Sequence, residues 1–118
     1  MKNKKIKIIC FDLDNVLCET PKSLYKESKP IKKAIAFANS LYAKGYSVKI
    51  FTSRFMGRNN EKVFKAKKQG YEFTKKQLLA WGLKYDKLIF GKPSYDLFID
   101  DKNFNFNKNW IEILKKKL

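Results

Sequence analysis

Apolar positions in this chain fall into short runs whose period changes from one run to the next. Residues 6–11, "IKIICF", are β-branched and aromatic and predict a strand. Residues 12–30 are polar and loop-like up to Pro30, which suits a helix start. In 31–44, Ile31, Ile35, Ala38 and Leu41–Tyr42 recur on one helical face, and Gly45 ends that helix. Residues 47–52, "SVKIFT", alternate as a second strand, and "SRFMGRNN" is a loop. Residues 61–69 predict a short helix stopped by Gly70. Thr74 then caps a second one closed by Gly82. "KLIF" (87–90) and "YDLFI" (95–99) predict the third and fourth strands, and the tail 106–118 predicts a helix with lysines at its negative end. Strands alternating with helices imply an α/β fold: a central, mostly parallel sheet in a Rossmann-like three-layer sandwich.

Length and composition narrow this picture. A chain of 118 residues makes one domain, 1–118, and 44% hydrophobic with 15% aromatic residues fits a folded core. The net charge of +16 favours anionic partners. Its make-up disfavours nucleic acid, because Arg54 and Arg58 are the two arginines and all other basic residues are lysines scattered along the chain. A lysine-rich surface that keeps the protein in solution is the plainer explanation. Cys10 and Cys18 form neither a disulfide framework nor a zinc pattern and read as buried thiols of a reducing compartment. The basic start followed by "IKIICFD" has too short an apolar stretch for a signal peptide, and no run reaches membrane-spanning length. The expected location is the cytoplasm, with no membrane partner.

Polar residues collect where the predicted strands end. Asp12 and Asp14 follow the first, Thr52-Ser53-Arg54 the second, Gly91-Lys92-Pro93 the third and Asp100-Asp101 the fourth. In an open parallel sheet the carboxyl ends share one edge, where ligands bind. Several carboxylates meeting there need a cation, and an all-oxygen set without histidine suits Mg²⁺. A lysine and a hydroxyl beside it suit a phosphate, and a carboxylate can attack phosphorus to form an aspartyl-phosphate. Taken singly, each residue has a plainer reading: the two aspartates as turn formers, Lys92 as one lysine among many, Arg58 with Asn59 and Asn60 as surface, and Trp81, Trp110 and the phenylalanines as core.

The motif "DLDNV" with Thr52, Lys92 and Asp100-Asp101 in order resembles the haloacid dehalogenase (HAD) superfamily, mostly Mg²⁺-dependent phosphatases. The segments "FDLDNVLCETP", "KPIKKAIAFANSLYAKGYSVKIFTSRFMG" and "TKKQLLAWGLKYDKLIFGKPSYDLFIDDK" resemble small members found with capsule and surface-polysaccharide biosynthesis. The resemblance implies Asp12 as nucleophile and metal ligand, and Asp14 as acid and base that also ligates Mg²⁺ through its carbonyl. It implies the Leu13 and Asn15 amides, Thr52 and the Ser53 amide as phosphate contacts, and Lys92 as neutralising charge. Asp100 is implied as a direct metal ligand and Asp101 as its support. Arg54 and Arg58 are candidate substrate contacts.

Asn15 stands where the family has glycine, and tolerates a left-handed backbone better than most residues. Val16 stands in place of the commoner threonine. Neither gap between motifs has room for a cap domain, so an open cleft is expected, with a second copy of the chain as one way to supply a lid. The implied substrate is a small anionic phosphate ester: a phosphorylated sugar, polyol or amino-alcohol, free or on a larger saccharide. The alternatives are a phosphatase of nucleotides or nucleic-acid ends, and a non-catalytic phosphate-binding or receiver-like domain. A receiver would place its acceptor aspartate after a middle strand, and here nothing acidic ends "KLIF".

Overall fold

The computed structural model of the chain describes residues 6–118. The basic start of the signal-peptide-like stretch, residues 1–5, lies outside the described residues. Three strands form a parallel sheet in the order β1-β4-β5: β1 (Ile8–Phe11), β4 (Ser47–Thr52) and β5 (Lys87–Phe90). The register pairs Phe11 with Ile50 and Thr52 with Phe90, so all three carboxyl ends lie on one edge. A two-stranded antiparallel ribbon, β2 (Cys18–Glu19) with β3 (Lys29–Pro30), rises from the segment that reads as a loop in the sequence. Three helices complete this small α/β fold: α1 (Lys32–Ala43), α2 (Val63–Ala80) and α3 (Trp110–Lys117).

The core forms where the apolar faces meet. Ala34, Ile35, Phe37, Ala38 and Leu41 of α1 are buried with Val48 and Ile50 of β4. Trp110, at the start of α3, sets its ring edge-on to Phe11 and Phe37 at 6.2 and 5.8 Å. Trp81 is only partly buried, and Phe64, Phe98 and Phe106 are exposed, so the aromatic residues are not all core. Cys18 is buried as expected, whereas Cys10 is exposed on β1.

Two expectations are corrected. Residues 61–80 do not make two helices, because α2 runs unbroken through Gly70 and Thr74. Gly70 is a packing glycine rather than a stop. The Phe55 ring lies against its Cα, in the space a Cβ would occupy. Thr74 is fully buried mid-helix and does not cap. Gly45 and Gly82, by contrast, end α1 and α2 in left-handed conformations, as read. The second correction concerns 95–99, which is not a strand. Leu97 and Ile99 are 78% and 86% exposed, and β1 remains an edge of the sheet. Alternating apolar residues become a strand only when a neighbour pairs with them.

Candidate functional site

Asp12 follows β1 directly, and Lys92 follows β5 after one residue. That residue, Gly91, has φ +106°, and a Cβ there would sit 2.9 Å from Val63, so the turn accepts glycine alone. The Lys92 amide donates to the Thr52 carbonyl at 3.2 Å, which continues the sheet pairing one step past β4. This places Lys92 Nζ 3.2 Å from Asp12 Oδ2. The lysine is buried, while the Asp12 side chain is 36% exposed. Lys92 Nζ also lies 5.2 and 5.5 Å from the ring centres of Tyr95 and Phe98, which stack on each other at 5.0 Å. Burial pulls the ammonium pKa down, but the Tyr95 hydroxyl and the Asp12 carboxylate outweigh it and leave it above the ordinary lysine value. Asp12, Lys92, Tyr95, Phe98 and Asp100 share one cleft of about 800 Å³ that runs along β1.

Asp14 is two residues away but outside the lining of that cleft. Its carboxylate accepts from Arg54 Nε at 3.1 and 3.0 Å, from Arg54 Nη2 at 2.9 Å and from the Thr20 hydroxyl at 2.6 Å. Arg54, expected at the substrate, is fully buried beneath this carboxylate. Arg58, also a candidate substrate contact, donates to the Ser23 carbonyl at 3.0 Å and lies over the rings of Tyr25 and Phe55. Arg54 therefore holds Asp14, while Arg58, itself exposed, packs on the 20–28 loop. The reason lies in geometry that a strand-end reading lacks: it fixes where a residue sits but not which way its side chain turns.

The remaining candidates divide. Thr52 ends β4 as expected, fully buried, with its hydroxyl oxygen accepting the Arg54 amide at 3.1 Å. Ser53 is half-buried beside it. Asn15 takes the left-handed backbone, φ +65°, that its position requires. Its amide, however, donates to the Cys18 carbonyl at 2.6 Å, and the Leu13 amide donates to Asp12 Oδ1 at 2.8 Å. Two of the three amides implied for phosphate, those of Leu13 and Asn15, thus have partners within the 12–18 segment.

Asp100 and Asp101 lie exposed on an irregular segment rather than at a strand end. The Lys102 amide and the Asp101 side chain hold the Asp100 carboxyl below its usual range. Among the described residues, no three His, Cys, Asp or Glu side chains converge to hold a metal. Of the implied ligands, the Asp12 and Asp100 side chains line the cleft, and Asp14, implied through its backbone carbonyl, does not. Two carboxylates on one open cleft fit Mg²⁺, which takes one or two protein oxygens and keeps waters or phosphate oxygens for the rest.

Sequence reasoning missed Thr20, Tyr25, Ser28 and Gln77, which surround Arg54 and Asp14. One signal was present: a chain so rich in lysine keeps arginine at two nearby positions, where a planar fork of donors is needed.

Among the described residues no helix is long and apolar enough to cross a membrane. No family model and no curated protein matches the chain. Among solved structures, a structural-genomics target from Vibrio cholerae is similar at 24% identity and a TM-score of 0.77, over 95% of this chain and 98% of that one. At that identity the likeness shows the fold alone: this chain shares its α/β architecture, nearly end to end, with that protein.

Proposed function

We propose that this chain is a phosphomonoesterase with a HAD-like, Rossmann-type core and no cap, in which Asp12 accepts the phosphoryl group. The observation that carries the reading is the Asp12–Lys92 pair, 3.2 Å apart at the carboxyl edge of a parallel sheet. An isolated pair of this kind is a weak structural device, because desolvation offsets its attraction. Facing a cleft, it is an arrangement for handling a charged group.

In the proposed reaction an Asp12 oxygen attacks phosphorus, and the bond from phosphorus to the ester oxygen breaks. Lys92 offsets the negative charge on Asp12 and on the phosphoryl oxygens. As the resemblance implies, the departing oxygen would take its proton from Asp14, which must first turn from Arg54 toward the cleft and be protonated. Water then attacks the aspartyl-phosphate, gives a proton to Asp14, and restores the Asp12 carboxylate as inorganic phosphate leaves. Asp12 and Asp100 would hold Mg²⁺, which when bound supplies further charge neutralisation at phosphate. The substrate class proposed is a phosphorylated sugar, polyol or amino-alcohol of capsule or surface-polysaccharide biosynthesis. It rests on the resemblance of the three quoted segments.

The test is phosphate release from a panel of monoesters, with Asp12→Asn and EDTA as controls. We expect turnover that needs both the metal and Asp12. Release that survives Asp12→Asn would overturn the assignment.

A further inference from the structure

β1 pairs with β4 on one side only. The Ser47 amide donates to the Lys7 carbonyl at 2.8 Å, and the register sets Ile8 against Ser47 and Cys10 against Lys49. In a parallel ladder both backbone groups of one residue point to the same side, and the side alternates along the strand. Lys7, Ile9 and Phe11 therefore bond toward β4, and the N–H and C=O groups of Ile8 and Cys10 point away from it. Among the described residues no other backbone takes them up. This edge is open, with Ile8 58% exposed and Cys10 exposed. It borders the cleft of about 800 Å³ that Phe98, Phe104 and Phe106 also line. At about 3.3 Å per residue, it runs roughly 13 Å from Ile8 to Asp12, where it meets Lys92.

We propose that this edge docks an extended acidic peptide as an added strand and delivers its phosphorylated residue to Asp12 and Lys92, a substrate class beyond the small esters above. Three observations single out that occupant. The Ile8 and Cys10 groups match a chain that offers a donor and an acceptor at every second residue, as an extended peptide does and a sugar ring does not. The aromatic lining gives alternate side chains an apolar contact, and the edge ends at the charge pair. The net charge of +16 favours an acidic chain and opposes a second copy of this one. The phosphate half of the proposal rests on the phosphatase reading; the strand addition does not. In that half the bond from phosphorus to the serine oxygen breaks. Water overall supplies the oxygen that phosphorus keeps and the proton that restores the serine hydroxyl.

The probe is an acetylated peptide, phosphoserine followed by alternating valine and glutamate, made also with either set of alternate residues N-methylated. Cys10 reports occupancy, since Cys18 is buried. Iodoacetamide labelling of Cys10 in the wild-type protein is followed by peptide mass analysis, in EDTA so that no ester turns over. We expect the parent peptide to slow labelling. One N-methylated form should bind about tenfold more weakly, because it loses main-chain hydrogen bonds to the edge, and the other should bind as the parent does. All three carry the same charge, so attraction by charge alone would treat them alike. Equal shielding by both methylated forms, or shielding by none, overturns the proposal. Shielding that grows with protein concentration in the absence of peptide assigns the edge to a second copy and also overturns it. With Mg²⁺ restored, the parent peptide should release phosphate, and the weakly bound form should show a raised KM. Shielding in the expected pattern with release from small esters but not from the peptide overturns the delivery half. If small esters turn over and no peptide shields Cys10, this proposal fails and the phosphatase reading stands. If the pattern appears and no ester turns over, the phosphatase reading fails and the strand addition stands.

Discussion

Asp12 and Lys92 come from opposite ends of the chain and meet because two parallel strands end at the same level. That meeting was legible in the sequence, since it needs only the strand ends. The roles of Arg54 and Arg58 were not, since they depend on side-chain direction around Tyr25. Single residues also set a pH limit on the fold. Burial, then the nearby Asp14 charge, pushes the Cys18 thiol above 9.0 against the opposing pull of the Thr20 hydroxyl. Burial likewise raises the Tyr85 hydroxyl above 10.0. Below pH 9 the thiol is protonated in both folded and unfolded chains, so its contribution to stability is complete there. Above that, the unfolded chain releases the proton first, and the contribution is lost as pH rises through the folded value. Stability should therefore fall as pH rises above 9, with Tyr85 adding to the fall above pH 10. Urea unfolding across this range should show the fall, with Cys18→Ala reducing its slope. A flat profile, or an identical slope in the variant, would contradict this assignment.

At the scale of elements, β4, β5 and α1 follow their patterns closely, because each has a partner that buries the face its sequence defines, whereas β1 pairs with β4 at the edge and buries only Phe11. α2 and the 95–99 segment depart for opposite reasons. Gly70 reads as a helix stop, yet the helix continues through it, and its missing side chain leaves room for the Phe55 ring. "YDLFI" reads as a strand, yet Leu97 and Ile99 stay exposed without a paired neighbour. The α2 packing gives a direct prediction. In an exposed helix Gly→Ala stabilises by about 1 kcal/mol. Here Gly70→Ala should destabilise by about 1–3 kcal/mol, since the added methyl overlaps a packed ring. Urea midpoints decide it, and a more stable Gly70→Ala would show that Phe55 does not occupy this contact.

For the molecule as a whole, the α/β class was legible from alternating elements, and the likeness to the Vibrio cholerae structure at a TM-score of 0.77 agrees with it. The net charge of +16 surrounds the molecule with a field that attracts anions. The β2–β3 ribbon was the least legible element. Its strands are two residues each, below the length at which alternation carries a signal. It is held by what surrounds it: the Asp14–Arg54 clamp, the Thr20–Ser28 contact and the Arg58–Tyr25 stack.

The central claim is that Asp12 carries the phosphoryl group in turnover. Acid quench during hydrolysis of the best phosphate ester, followed by peptide mass analysis, tests it directly. The account predicts one phosphoryl group on the peptide holding Asp12, absent in Asp12→Asn. Steady turnover with no phosphorylated peptide, or with the label on another residue, would contradict it.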